Sequence, residues 1–173
     1  MITIRAEKPE DYDAIYEINK RAFNSEFEAR LIDTIRHSNN FISDLSLVAL
    51  KDNSIVGHIL FSQANIKSRE KERPILILAP IAVLPEFQKQ GIGSLLVKKG
   101  LHKSQTLGYD IVALIGYPGF FSRFGFSPAR SKELELSLKG DIPGESFMVY
   151  ELKKGVLSDV EGIVDFPLYF EEE

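Results

Sequence analysis

The sequence predicts a mixed α/β fold on three observations. Two amphipathic helical patterns lie near the N-terminus. In the middle of the chain a strand, a glycine turn, a helix and a second strand follow one another, the order of a βαβ unit with parallel strands and a right-handed crossover. Toward the C-terminus, short strand patterns separated by Gly and Pro are expected to form an antiparallel meander.

Each element has a local reason. Ile2 to Ala6 reads as a short strand. A helix follows from Pro9, where proline suits a first turn and Glu10, Asp11 and Asp13 favour the positive end of the helix dipole. Tyr12, Ile15, Ile18 and Ala22 form its apolar face. A second helix starts near Ser25, with Phe27, Leu31 and Ile35 as its stripe, and Asn39-Asn40 marks its exit. Leu45 to Leu50 and Ile55 to Ala64 read as strands joined at the polar group Lys51-Asp52-Asn53-Ser54. Lys67 to Arg73 reads as a solvated loop. Ile75 to Val83 is an apolar strand interrupted by Pro80, which has no N–H for a ladder and belongs at an edge or a bulge. A helix runs to about Leu107, with Gly108 at its C-terminal end. Ile111 to Ile115 is a strand apolar on both faces. Glu133 to Leu138 and Phe147 to Leu152 are the pair expected to form the meander. Phe166 to Phe170 is an apolar patch that either covers the core or serves a dimer contact, and Glu171-Glu172-Glu173 is expected to fray.

The chain has 173 residues, a size that suits one domain over 1–173. With 21 Lys+Arg against 25 Asp+Glu the net charge is −4, which argues against a general nucleic-acid binder. Cys is absent, so the chain offers no disulfide, thiolate metal site or cysteine nucleophile. The three His, at 37, 58 and 102, lack ligand spacing, and no metal is expected. No apolar run approaches the roughly 20 residues that cross a bilayer, and the first residues lack the layout of a secretory signal. The expectation is a cytoplasmic protein with no membrane partner.

Gln88-Lys89-Gln90-Gly91-Ile92-Gly93 is the most informative stretch, because it follows a buried strand and opens a helix. Helix N-termini present unpaired N–H groups and about half a positive charge, and phosphate binds there. Glycines let a ligand approach the backbone closely, and Ser94 adds a hydroxyl. The alternative is a tight connection that needs glycine for its geometry alone. Neither nucleotide fingerprint fits: position 96 is Leu where a dinucleotide motif needs Gly or Ala, and the Walker Gly-Lys-Ser/Thr is missing. A bulge at Pro80 would splay the strand from its parallel neighbour beside this turn.

Gln88-x-x-Gly91-x-Gly93, preceded by Ala82-Val83-Leu84-Pro85, resembles the acyl-CoA pyrophosphate motif of the GNAT superfamily of N-acetyltransferases. Gly116 to Phe126, ending Arg123-Phe124-Gly125-Phe126, is similar to that family's segment after its fifth strand. Together with Leu78-Ala79-Pro80-Ile81-Ala82-Val83 it looks like the YhbS-like branch. The resemblance runs from about residue 2 to residue 170. It implies the GNAT acyl-CoA N-acyltransferase fold, a mixed central sheet with a splayed parallel pair of fourth and fifth strands flanked by helices.

The resemblance also implies roles. Backbone N–H groups of Gln88, Lys89, Gln90, Gly91, Ile92, Gly93 and Ser94 would hold the CoA pyrophosphate. The backbone of Ile81, Ala82 and Val83 would pair with the pantetheine arm while their side chains stay in the core. Lys89, Lys98 and Lys99 could help neutralise the phosphates, although Lys98 and Lys99 fit a solvated helix face better, and Arg123 either touches a phosphate or packs over rings. The implied reaction moves an acetyl group from acetyl-CoA, as cosubstrate, directly to an amine acceptor. The family's usual tyrosine acid falls on Phe121, which has no proton to give. Tyr117 is the substitute candidate, the alternative being a packed aromatic. Glu26 and Glu28 lie where relatives wall the acceptor pocket, but Ser25-x-x-Glu28 is a capping-box pattern. His58 is expected to be a half-exposed structural residue. Because of Phe121, a non-catalytic acyl-CoA-binding or interaction module of the same fold is the other reading. Monomer and homodimer are both open.

Overall fold

The computed structural model describes residues 1–69, 71–138 and 140–171. The expected fraying of Glu172 and Glu173 lies outside the described residues. The chain divides into two compact units, residues 1–62 with 79–103, and residues 63–78 with 104–173. Two long strands contribute to both: β3 (Ser54–Ser68) and β4 (Lys71–Val83).

In the first unit β1 (Ile2–Ala6), β2 (Ser46–Lys51) and the first part of β3 form an antiparallel run. The end of β4 is tied to β3 by a bond from Leu84 N–H to Val56 O of 2.9 Å. Asp11 explains why the chain turns into α1 (Tyr12–Phe23) where it does. Its carboxylate accepts from the Lys8 amide at 2.8 Å and from the Arg5 guanidinium at 2.7 and 3.2 Å, and these bonds hold it below the usual carboxylate range. Ile15 and Ile18 of α1 are buried as the periodicity predicts, but Asn19 joins them and donates to Ile15 O at 3.0 Å. α2 (Phe27–Arg36) buries Ala29, Leu31, Ile32 and Ile35, so its stripe is set one step from Phe27. The helix start at Ser25 does not follow the capping-box pattern, since the N-cap position falls on Glu26. Ser25 Oγ accepts from Phe27 N–H at 3.2 Å, while the Ser25 amide donates to Lys20 O instead.

α3 (Ile92–Thr106) buries Ile92, Leu96, Val97 and Leu101, the spacing of one helix face. Gly100 sits so close to β3 that a Cβ there would run into the Phe61 ring. Glycine is therefore what lets this helix approach the strand.

A polar network is sealed into the same unit. Arg36 of α2 donates to both oxygens of Glu7, at 2.9 and 3.0 Å, and stacks on the Tyr12 ring with its guanidinium carbon 3.8 Å from the ring centroid. Ser46 Oγ–H donates to Glu7 as well, and His58 Nε2 lies 2.9 Å from Ser46 Oγ. His58 is fully buried rather than half-exposed, because β3 turns it inward, and its Nδ1 has no partner among the described residues. Burial, aided by the Arg36 charge, pushes its pKa down to about 3. The Glu7 carboxylate, which would favour a charged imidazole, is already matched by Arg36.

In the second unit the parallel ladder joins β4 to β5 (Ile111–Ile115) at Leu76–Val112 and Ile77–Ala113. The βαβ reading and the parallel pair are thus present. β8 (Phe147–Glu151) pairs antiparallel with β5 and with the two-residue β6 (Ser127–Pro128). The expected meander differs. β7 (Leu134–Leu136) does not pair with β8. It runs parallel to β9 (Gly162–Asp165), which pairs antiparallel with Asn65 to Lys67 of β3. β9 was missed because Gly162-Ile163-Val164-Asp165 is short and only Val164 is buried. The Lys67 to Arg73 loop also shrinks, since β3 continues to Ser68 and β4 starts at Lys71. Lys67 serves there as an ion-pair partner of Asp165 at 2.9 Å. In the apolar patch Phe166 is buried and packs edge-on against Phe147 and Phe170, while Leu168 is exposed.

Unfolding frees His58 to take up a proton at its ordinary pKa near 6.5, so its burial destabilises the fold increasingly as pH falls below that value. Between pH 7 and pH 5 this group should remove on the order of 2 kcal/mol of stability. His58→Gln should remove that share of the pH dependence in denaturant titrations, and an unchanged dependence would contradict the assignment.

Candidate functional site

The first unit brings together the two segments singled out in the sequence, Ile81–Val83 and Gln88–Ser94. At the end of β4, Ala82 is buried while Ile81 and Val83 are half-buried, so all three side chains have some share in the core. A 3-10 turn, Pro85–Phe87, leads into the glycine turn. Two side chains fasten this approach. Gln88 Nε2 donates back to Val83 O at 3.0 Å. Arg21, near the end of α1, holds Glu86 with two bonds of 2.9 and 2.7 Å, which raise the guanidinium pKa and lower that of the carboxyl. Gln88 was read from sequence as an amide donor to a ligand. In the structure its side chain has a local task.

Lys89 and Gly91 both take left-handed backbone conformations, at φ 63° and φ 84°. Nothing stands within 4 Å of where a Cβ at Gly91 would be, so glycine is there for its backbone angle and leaves the space in front of it open. The first helical bond of α3 runs from Leu95 N–H to Gly91 O at 3.1 Å. The amides of Ile92 and Gly93 therefore precede the ladder at the positive end of a helix of 15 residues. The Ile92 side chain is buried, so this residue can meet a ligand only through its backbone. Lys89, Gln90 and Gly91 are exposed. Lys98 and Lys99 are exposed too, and with His102, Leu95 and residues 2–4 they line a shallow depression between α3 and β1.

A residue the sequence did not flag also reaches the turn. Lys51, at the end of β2, places Nζ 3.3 Å from Gln90 Oε1 and 5.3 Å from the centre of the Phe87 ring.

Tyr117 belongs to the second unit. It precedes α4 (Pro118–Phe121), and its carbonyl accepts from the Phe120 and Phe121 amides, both at 3.1 Å. The side chain is 74% exposed, and its hydroxyl makes no hydrogen bond among the described residues. The ring lies against Gly119, so close that a Cβ there would come within 2.7 Å of it. Phe121 is the packed ring, buried edge-on against Phe120 at 4.9 Å and Phe126 at 5.7 Å. Arg123 lies over Phe120 and Phe124. Of the carboxylates considered as a base, Glu26 is engaged by Tyr16 at 2.9 Å and Arg30 at 3.1 Å and is held below its usual range. Among the described residues no three His, Asp or Glu side chains gather as a metal site would require, and no helix is long and apolar enough to cross a membrane.

Comparison with known proteins gives this geometry a context. The acetyltransferase (GNAT) domain model matches residues 3–129. The chain is 36% identical to the uncharacterized N-acetyltransferase YjhQ of Escherichia coli (strain K12), over 68% of this chain and 65% of that protein, just under two thirds of its length. It is 32% identical to the uncharacterized N-acetyltransferase YhbS of the same strain, over 96% of this chain and 97% of YhbS. The crystal structure of E. coli YhbS in complex with CoA superposes with a TM-score of 0.89 at 30% identity, covering 98% of this chain and 91% of the other. A GNAT family acetyltransferase from Brucella melitensis in complex with acetyl-CoA gives a TM-score of 0.78 at 27% identity, covering 99% of each chain.

Gly91→Ala meets no steric obstacle but must keep φ 84°. It should cost about 1 kcal/mol in chemical denaturation, and an unchanged stability would contradict the left-handed turn.

Proposed function

The chain belongs to the GNAT family of acetyltransferases, and from that premise we propose that it transfers an acetyl group from acetyl-CoA directly to an amine. In this reading residues 1–173 act as one acetyltransferase domain. The amides from Gln88 to Ser94 hold the CoA pyrophosphate, and the backbone of Ile81, Ala82 and Val83 lies along the pantetheine arm. The observation that carries the reading is the left-handed Gly91 at the head of α3, with nothing within 4 Å of its Cβ position, because a helix start of this kind suits an anion. CoA and acetyl-CoA in the YhbS and Brucella structures support the same ligand.

The chemistry asks little of side chains. An alkyl ammonium with a pKa near about 10 must lose a proton before its nitrogen can attack. A carboxylate, acting directly or through water, suits that task. The thioester oxygen gains charge in the tetrahedral intermediate and needs a fixed N–H donor, for which the strand at Ile81 to Val83 is the nearest backbone in the proposed path. The C–N bond forms, the C–S bond breaks, and the thiolate leaves with a proton from an acid. Tyr117 is proposed for that last proton: its hydroxyl is exposed and uncommitted, whereas Phe121 has none. With no cysteine in the chain, a thioester on a cysteine of the enzyme is not available, which favours direct transfer.

Thiol release from acetyl-CoA across a panel of small and peptide amines tests the activity. Amine-dependent thiol is the expected result. A folded, CoA-saturated protein that releases none would leave a non-catalytic acyl-CoA-binding module. Gly91→Glu, which places bulk and a negative charge at the turn, should abolish CoA binding in calorimetry, and retained affinity would refute the assigned site. Tyr117→Phe should lower kcat by about 10-fold or more if the tyrosine is the acid, and normal turnover would remove it from that role.

A further inference from the structure

We propose that Lys51 is a phosphate-binding residue of the cosubstrate site, delivered to the glycine turn by the β2–β3 hairpin. This rests on the acetyl-CoA reading above and brings a second cation to a turn whose own sequence carries Lys89. The hairpin fixes where Lys51 stands. Lys51 pairs with Ser54 across a two-residue turn, and both turn residues, Asp52 and Asn53, have positive φ, 51° and 66°. That is the compact turn that matches strand twist and sets register.

What surrounds the ammonium points to an anion. Its two partners, the Gln90 amide oxygen at 3.3 Å and the face of Phe87 at 5.3 Å, are both neutral. They flank Gln88 and Lys89, so the charge is held at the entrance to the turn. The other cation fastened to this segment, Arg21, is matched by the Glu86 carboxylate. Among the described residues Lys51 has no carboxylate within ion-pair distance. An ammonium has three N–H donors, and Gln90 takes one. An ammonium with neutral partners contributes little to the fold through charge pairing, and its partner Gln90 immediately precedes Gly91, in a turn that leads to helix amides carrying only about half a positive charge. An organic phosphate placed there would complete it.

CoA carries two such groups, the diphosphate and the ribose 3′-phosphate, and dephospho-CoA lacks only the second. Calorimetry with both ligands on the full chain, as wild type, Lys51→Met and Lys51→Arg, tests the inference. Lys51→Met should weaken CoA binding by about 10-fold and make its salt dependence shallower. Lys51→Arg should retain most of the affinity, which also covers a poorly folded Met variant. If dephospho-CoA is weakened equally by Lys51→Met, the contact is to the diphosphate. If it is unaffected while CoA binding falls, the contact is to the 3′-phosphate. Wild-type affinity and salt dependence in a folded Lys51→Met protein would overturn the role of Lys51 alone. Absence of CoA binding by the wild type would overturn the cosubstrate reading from which it follows.

Discussion

α3 lies against β3 with no room for a side chain at Gly100, where the Phe61 ring occupies the space a Cβ would need. That close approach fixes the direction of the helix, and with it the direction in which its first amides point. Helix placement in a sheet protein is usually set by bulky residues interlocking, and here Ile92, Leu96 and Val97 do that work above the Gly100 contact. The buried side chain of Ile92 pins the first turn to the core, so in the proposed reading its amide and that of Gly93 are held in place rather than fraying. A fixed donor stabilises an anion without reorganising first, which is what binding and acyl transfer both require.

The turn ahead of the helix is secured from several sides. Gln88 returns to Val83, Arg21 holds Glu86 from α1, and Lys51 leans on Phe87 and Gln90 from the hairpin. Solvent screens an exposed ion pair such as Arg21–Glu86 and leaves it little stabilising effect, so its value lies in geometry. The deeper network of Glu7, Arg36, Ser46 and His58 behaves differently. It is sealed from water, and its one imbalance is the bare Nδ1 of a neutral imidazole.

Much of this was legible in the residues. The βαβ unit, the two N-terminal helices and the β5 strand follow from period and punctuation, and the glycine turn announced its position by its spacing. The failures have physical reasons. Glu133 to Leu138 and Phe147 to Leu152 both look like strands, but strand partners are chosen by the whole sheet, and a short half-exposed β9 took the place of the expected neighbour. Lys67 to Arg73 is too charged to look like strand, although Lys67 pairs with Asp165 across the ladder. His58 is surrounded in sequence by ordinary strand residues, so its complete burial shows only once Ser46 and Glu7 are seen beside it. Lys51 lies far from Gln88 in the chain and reads as a hairpin residue. Only the fold carries it to the turn.

In the proposed reading, acyl-CoA is held by backbone more than by side chains. That reading fits a chain with net charge −4 and no cysteine, because the proposed anion site draws mainly on helix amides. The most direct test is a crystal structure with CoA bound. It should show the diphosphate within hydrogen-bond distance of the amides around Gly91 to Ser94, with the pantetheine arm running along Ile81 to Val83. CoA seated elsewhere, or a diphosphate held by side chains away from the head of α3, would contradict the account.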